Sequence, residues 1–172
     1  MTLIGSTAKV TTVWEVEHRR GGVLLSRTVD KNTYTDQGLN HTLDVLLHGA
    51  TQINPWYVII VETNTTATAG MTYAVPVFTE CTAYDEATRK EYVEAAAASR
   101  VTTNSASKAV FTINASKTIY GAALVGGGTG GATKADVAGG GTLLNYSKFT
   151  GSKSVVAGDT LTITATVTLT SA

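Results

Sequence analysis

A few side chains have the types and spacing that chemistry requires. His41, Asp44 and His48 stand at i, i+3 and i+7 of one short segment, so two imidazoles and a carboxylate could meet a divalent cation on one helix face. Zinc pairs on helices sit at i and i+4, so the bland reading makes these histidines surface or boundary residues. Glu15 and Glu17 share one face of an alternating run. Paired carboxyls about 5–10 Å apart are what glycoside hydrolysis uses, but solvated pairs at this spacing are common. Thr133-Lys134 sits in a glycine-rich stretch yet lacks the Gly-Lys-Ser/Thr order before a helix that a phosphate loop needs. Trp14, Trp56, Tyr57 and Tyr84 could form a sugar-stacking platform, although aromatics in strands more often fill cores. Arg89 follows Asp85 and Glu86 closely enough to pair with either, or could reach a partner's carboxylate or backbone. None of these sets makes a catalytic constellation. The reading is a non-enzyme with no catalytic, cofactor-binding or metal residues and no cofactor.

The elements carrying these residues are mostly strands. Val10, Thr12, Trp14 and Val16 alternate with Thr11, Val13, Glu15 and Glu17, the pattern of a half-buried strand over 9–18. Gly21-Gly22 then allows a turn, and residues 23–29 return as the second arm of a hairpin. A short helix follows at about 36–48. Asp36 is its expected N-cap, Gly49 its left-handed stop, and Leu39, Leu43, Leu46 and Leu47 form one apolar stripe that should dock on a sheet. Residues 56–62 are almost all apolar and read as a central strand buried on both faces, one under the helix and one against the opposing sheet. Pro76 makes residues 71–84 an irregular or edge strand; 84–96 is ambiguous between a helical turn and a strand. Strands are expected at 108–114, 117–125, 142–149 and 160–170. In the last, Leu161, Ile163, Ala165, Val167 and Leu169 alternate with threonines. Residues 126–141 are glycine-rich and too poor in large side chains to build a core, so they read as a mobile loop or one ordered only by a partner.

Eight or nine strands and one helix, without regular strand–helix alternation, point to a mainly β, antiparallel β-sandwich, jelly-roll-like. The 172 residues suit a single domain, 1–172, with residues 1–8 as a flexible N-terminal arm. Lone Cys81 excludes an internal disulfide and reads as a small buried hydrophobe. Thirteen basic and thirteen acidic residues cancel, which argues against nucleic acid as a partner. The N-terminus does not have the form of a signal peptide, and no run approaches the roughly 20 apolar residues of a membrane span, so no membrane partner is expected.

Four ordered pieces carry a resemblance. GLNHTLDVLLHG (Gly38 to Gly49), Thr51 to Val58 with its Thr-Gln-Ile and Trp-Tyr, Thr79 to Arg89 with its Ala-Thr-Arg, and Gly158 to Leu169 opening Gly-Asp-Thr-Leu together resemble a group of small virion proteins of tailed bacteriophages. These cover a bit over half the chain. The most similar class is the capsid cement, or decoration, proteins. The resemblance implies a protein on the outer surface of the phage head that clamps neighbouring major capsid subunits. It implies self-association as a homodimer or homotrimer, assembly in the bacterial host cytoplasm, and no catalytic residues. Phe78, where the pattern has tryptophan, and the expanded loop after Val125 depart from it. A tail- or fibre-associated protein binding host carbohydrate is the alternative.

Overall fold

The computed structural model describes residues 8–171. Most of the arm expected at 1–8 therefore lies outside the described residues. Ten strands and one helix follow in chain order: β1 Ala8–Arg20, β2 Val23–Lys31, β3 Thr33–Tyr34, α1 Asp36–Leu47, β4 Trp56–Val61, β5 Lys90–Glu91, β6 Val101–Thr103, β7 Ala109–Thr112, β8 Lys117–Gly126, β9 Thr142–Val155 and β10 Asp159–Ser171. Two antiparallel sheets result. One has the order β2-β1-β10-β6, with β7 also paired to β10; the other is β3-β9-β8-β4-β5. This is the mainly β, antiparallel sandwich the alternation predicts. The finer jelly-roll label does not follow from this strand order.

Period-2 patterning explains the inner layer. Trp14 and Val16 of β1 and Leu161, Ile163 and Ala165 of β10 point inward and meet Val58, Ile60, Ile119 and Leu124 of the second sheet. The β1–β2 hairpin turns on Gly21 and Gly22, whose φ values of +54° and +82° lie where only glycine is unstrained. The threonine-lined β10 is not an edge. It is paired to β1 from Asp159 to Ser171 and to β6 and β7 on its other side, so its bare-edge hazard does not arise. Its last expected core positions, Val167 and Leu169, leave the layer, and Leu169 is exposed.

Three expectations need correction. β4 is buried on both faces, but its outer face lies under the irregular 63–80 segment rather than under the helix. Ile59 and Val61 pack there with Met71, Tyr73, Phe78 and Tyr146, and the Phe78 and Tyr146 rings are 5.0 Å apart. The helix is capped by Thr35, not Asp36: the Thr35 hydroxyl accepts the Gly38 N–H at 2.9 Å. Thr35 also donates to the Leu143 carbonyl, so one residue caps α1 and ties it to β9. The third concerns the leucine stripe, which does not dock. Leu43, Leu46 and Leu47 are 54%, 73% and 77% exposed. What docks is Gly38, which is buried; a Cβ there would sit 2.3 Å from the Leu144 carbonyl oxygen. Gly49 does end the helix, at φ +74°, and the Ala50 N–H returns to the Asp44 carbonyl. No helix among the described residues is long and apolar enough to cross a membrane.

Candidate functional site

The densest polar cluster forms around Arg89. The stretch from Thr79 to Arg89 is extended and irregular rather than helical, so the i, i+4 geometry behind an Asp85 or Glu86 pairing never arises. Arg89 turns instead to Glu80. Its Nη2 lies 2.6 Å from Glu80 Oε2, and its Nε lies 3.1 Å from each carboxylate oxygen. Nη1 donates to the Tyr73 hydroxyl at 2.9 Å and to the Gly131 carbonyl at 3.1 Å, and Nη2 donates to the Asp136 carbonyl at 2.9 Å. The Tyr73 hydroxyl donates onward to Asp136 Oδ2 at 2.8 Å, and that oxygen also accepts the Gly139 N–H. Glu80 Oε2 accepts the Ala135 N–H.

One guanidinium therefore ties residues 130–139 to the 73–89 segment. The glycine-rich loop expected to be mobile is folded back onto the body. Glycine is needed for that close approach: a Cβ on Gly128 would lie 1.9 Å from the Gly139 carbonyl, and one on Gly130 would lie 2.2 Å from Asp136 Oδ2. Arg89 and Glu80 are both buried. Burial pushes the Glu80 carboxyl up against the opposing pull of Arg89, as expected for an ion pair taken out of water. The hydrogen bond from Tyr73 holds the Asp136 carboxyl below its ordinary value, and burial pushes the Tyr73 phenol up. Beside this brace lies a cavity of about 190 Å³ walled by Ile59, Phe78, Val125, Val137 and Leu143. It is smaller than the roughly 300–1,000 Å³ of small-molecule sites. Tyr73, Glu80, Arg89 and Asp136 are already engaged with one another, so the arrangement fits holding the loop.

A second buried carboxylate closes the far end of the first sheet. Asp159 accepts from Arg20 Nε at 2.7 Å and Nη2 at 2.9 Å, from His18 Nε2 at 2.8 Å and from the Val156 N–H at 3.0 Å. Arg20 above all, with His18 and the backbone, holds its carboxyl well below the usual range.

The residues singled out by sequence are not brought into one site. His41 meets the edge of Trp56, with ring centroids 6.0 Å apart. Asp44 uses its backbone carbonyl to end the helix, and His48 is the C-cap. Among the described residues no group of three or more His, Cys, Asp or Glu could hold a metal ion. Glu15 pairs with Arg27, and Glu17 with Arg19 and, at 3.9 Å, Lys108, so each carboxylate has its own cation. Trp14 and Tyr84 are fully buried and Trp56 and Tyr57 half-buried, which dismantles the stacking platform. Lys134 donates to the Tyr84 carbonyl at 2.7 Å, with its ammonium 3.8 Å from that ring's centre. Cys81 is buried, and burial pushes its thiol up to about 11. Glu80, Tyr73, Asp136, His18 and Asp159 were not singled out. The one signal available was a pair of charges, Lys134 and Asp136, inside a glycine tract with no other charged residue.

The remaining features are apolar and exposed: the α1 leucines, and along β2 the side chains of Val23, Leu24, Leu25 and Val29. β2 pairs as a strand with β1 alone; β9 meets only its last residues, where the Thr150 N–H donates to Asp30 and the Ser147 hydroxyl to the Lys31 carbonyl, so its other edge over Val23–Val29 has no strand partner. No family model matches this sequence, and no curated protein matches it at a significant level.

Proposed function

We propose that this chain is a structural protein of a virion, of the capsid cement class, which binds the outer surface of a phage head and clamps neighbouring major capsid subunits without doing chemistry. The observation that carries the reading is the open edge of β2. Over Val23–Val29 it has no strand partner and exposes four large aliphatic side chains. Proteins usually shield such an edge with charge, proline or a covering segment. An uncovered, apolar strand edge suits contact with another protein, either by strand addition or by side-by-side packing.

Three further features support it. The four segments that resemble virion proteins contribute α1, the start of β4, the Glu80–Arg89 ion pair and most of β10. The braced loop and closed sheet end leave a stiff body behind the exposed edge, so little ordering entropy opposes docking. A net charge of zero adds no long-range repulsion. A cement protein works by burying area across subunit junctions that would otherwise separate under pressure from packed DNA.

Gold-labelled antibody against this protein on intact virions tests the location directly. Label spread over the head supports the reading. Label confined to the tail tip, or none on particles, overturns it. Leu25→Lys with Val29→Lys should then weaken binding to shells lacking the protein by at least about tenfold, since each charge is set where an apolar contact would form.

A further inference from the structure

We propose that the cleft between the α1–β4 connection and the start of the glycine loop is a binding site for a short uncharged saccharide. Its test needs no shells, and antibody label on the head, on the tail or on no particle would leave it standing.

The connection from Thr51 to Pro55 faces the loop across a cleft of about 430 Å³, with Tyr57 of β4 also in the lining. That volume falls within the roughly 300–1,000 Å³ of small-molecule sites. Both walls are held in place. On one side Ile53 packs on the root of the loop. A Cβ on Gly126 would sit 2.7 Å from Ile53 Cγ2, and one on Gly127 would sit 3.0 Å from Ile53 Cδ1. On the other side Arg89 fastens two carbonyls of the lining residues: its Nη1 donates to Gly131 at 3.1 Å and its backbone N–H to Ala132 at 2.9 Å. The Thr129 N–H is tied to the Gly139 carbonyl at 2.8 Å. The arginine that orders the loop therefore also sets one wall of the cleft. A wall fixed before binding costs little ordering entropy when the ligand arrives.

The lining carries no charged side chain. Phosphate, carboxylate and ammonium ligands are held by an opposite charge, and here they would meet none. Glu91 pairs with Tyr57 across β4 and β5 but stays outside the lining. The polar groups are two amides, Gln52 and Asn54, and two hydroxyls, Thr51 and Thr129, all four exposed. Each can donate and accept a hydrogen bond, and so can each hydroxyl of a sugar. Tyr57 supplies the one aromatic ring. It is half-buried and backed by the outer cluster around Ile59 and Val61. Gly131 leaves an edge of that ring clear, since a side chain there would begin with a Cβ 3.5 Å from Tyr57 Cε2. A ring with an apolar face and a polar tip suits a pyranose, whose C–H face is apolar and whose rim is hydroxyl. An extended peptide fits less well. β4 is already paired on both sides, with β8 and, at Tyr57 and Val58, with β5, so the cleft offers it no free edge.

Amide chemical shifts of the full chain read the site directly. The probes are neutral hexoses, N-acetylhexosamines and their disaccharides, each titrated to tens of millimolar to reach weak binding. At least one sugar should give saturable shifts confined to 51–57 and 127–132. Gln52→Ala with Asn54→Ala should weaken binding of that sugar about tenfold. Both positions are exposed, so the rest of the spectrum should stay as in the wild type. Tyr57→Ala should also weaken binding about tenfold, whereas Tyr57→Phe, which keeps the ring, should lose much less. Four results would each overturn the proposal: no sugar of the panel moving these amides, shifts scattered over the surface, an amide double variant that binds as the wild type does, or a neutral blocked trialanine peptide saturating the cleft where the sugars do not.

Discussion

The glycine loop at 126–141 and helix α1 exchange the roles their compositions suggest. The loop has almost no large side chains, yet Gly130, Gly131 and Gly141 are buried and the tract is fastened at several points. The helix has a clean leucine stripe, yet the stripe faces solvent and a glycine makes the closest contact. In the loop, a buried arginine supplies the order that apolar burial would supply elsewhere, because its fixed fork of donors can satisfy two carbonyls, a phenol and a carboxylate together. In the helix, apolar character is withheld from the core and kept for a surface. The two cases teach that apolar content shows how much burial a segment can gain, and that the polar contacts at its ends decide where that burial happens.

The sharpest way to break the contrast is to remove the guanidinium. Arg89→Met should cost about 3–5 kcal/mol, since it leaves Glu80 buried without its cation. Hydrogen exchange should then accelerate across 128–140, while α1 stays as protected as before. Arg89→Lys should recover only part of the loss, because one ammonium cannot reach Glu80, Tyr73 and two carbonyls together. Unchanged loop protection in Arg89→Met would show that glycine packing alone holds the tract.

The second carboxylate cluster sharpens the comparison by pH. Asp159 has a folded-state pKa lowered by Arg20 first and by His18 and the Val156 N–H after it. A carboxyl with a depressed folded pKa contributes stability that is fully present above its unfolded value, near the ordinary 3.8, and is lost as pH falls below it toward the folded value. The wild-type melting temperature should fall as pH drops below about 4, and Asp159→Asn should be less stable at pH 7, by about 3 kcal/mol, and flatter in acid. In the loop two carboxyls oppose each other, Asp136 shifted down and Glu80 up, so the loop should respond to acid less steeply than the Asp159 end. Calorimetry from pH 2 to pH 7 on both chains checks the sign. Equal acid slopes would remove Asp159 from the account.

Much of the sandwich was legible because its signal is local. The alternation over β1 and β10, the Gly21-Gly22 turn and the apolar run of β4 each specify a face from neighbouring residues. The brace was not legible, because its partners stand nine to about fifty positions from Arg89, while Asp85 and Glu86 were nearer in sequence and would have been nearer in space only on a helix. The direction of the helix was not legible either. Periodicity finds a stripe but not which side of it meets the sheet. That choice rests on Gly38 fitting the backbone of Leu144, more than a hundred residues away. Asp36 lost the cap to Thr35 for a similar reason: the Thr35 hydroxyl also reaches Leu143, a partner no local rule contains.

The smallest expected effect tests that glycine. Gly38→Ala pulls stability two ways. Alanine favours a helix over glycine by about 0.8–1 kcal/mol, and in a free helix the change would stabilise. Here the new Cβ would lie 2.3 Å from the Leu144 oxygen and 2.7 Å from its Cα. Backbone cannot swing aside as a side-chain tip can, so α1 must lift. Overpacking of this kind costs about 1–3 kcal/mol, which leaves a net loss of about 1 kcal/mol. For a chain of this size that is a fall of about 2–4 °C in melting temperature. Amide exchange should rise most over 36–47 and much less over 128–140, because Gln37 joins the helix to Tyr73 and Gly141 while Arg89 keeps its own bonds to Glu80, Gly131 and Asp136. A higher melting temperature in Gly38→Ala would mean that the close approach does not hold the helix. The outward stripe would then follow from the Gln37 and Thr35 contacts alone.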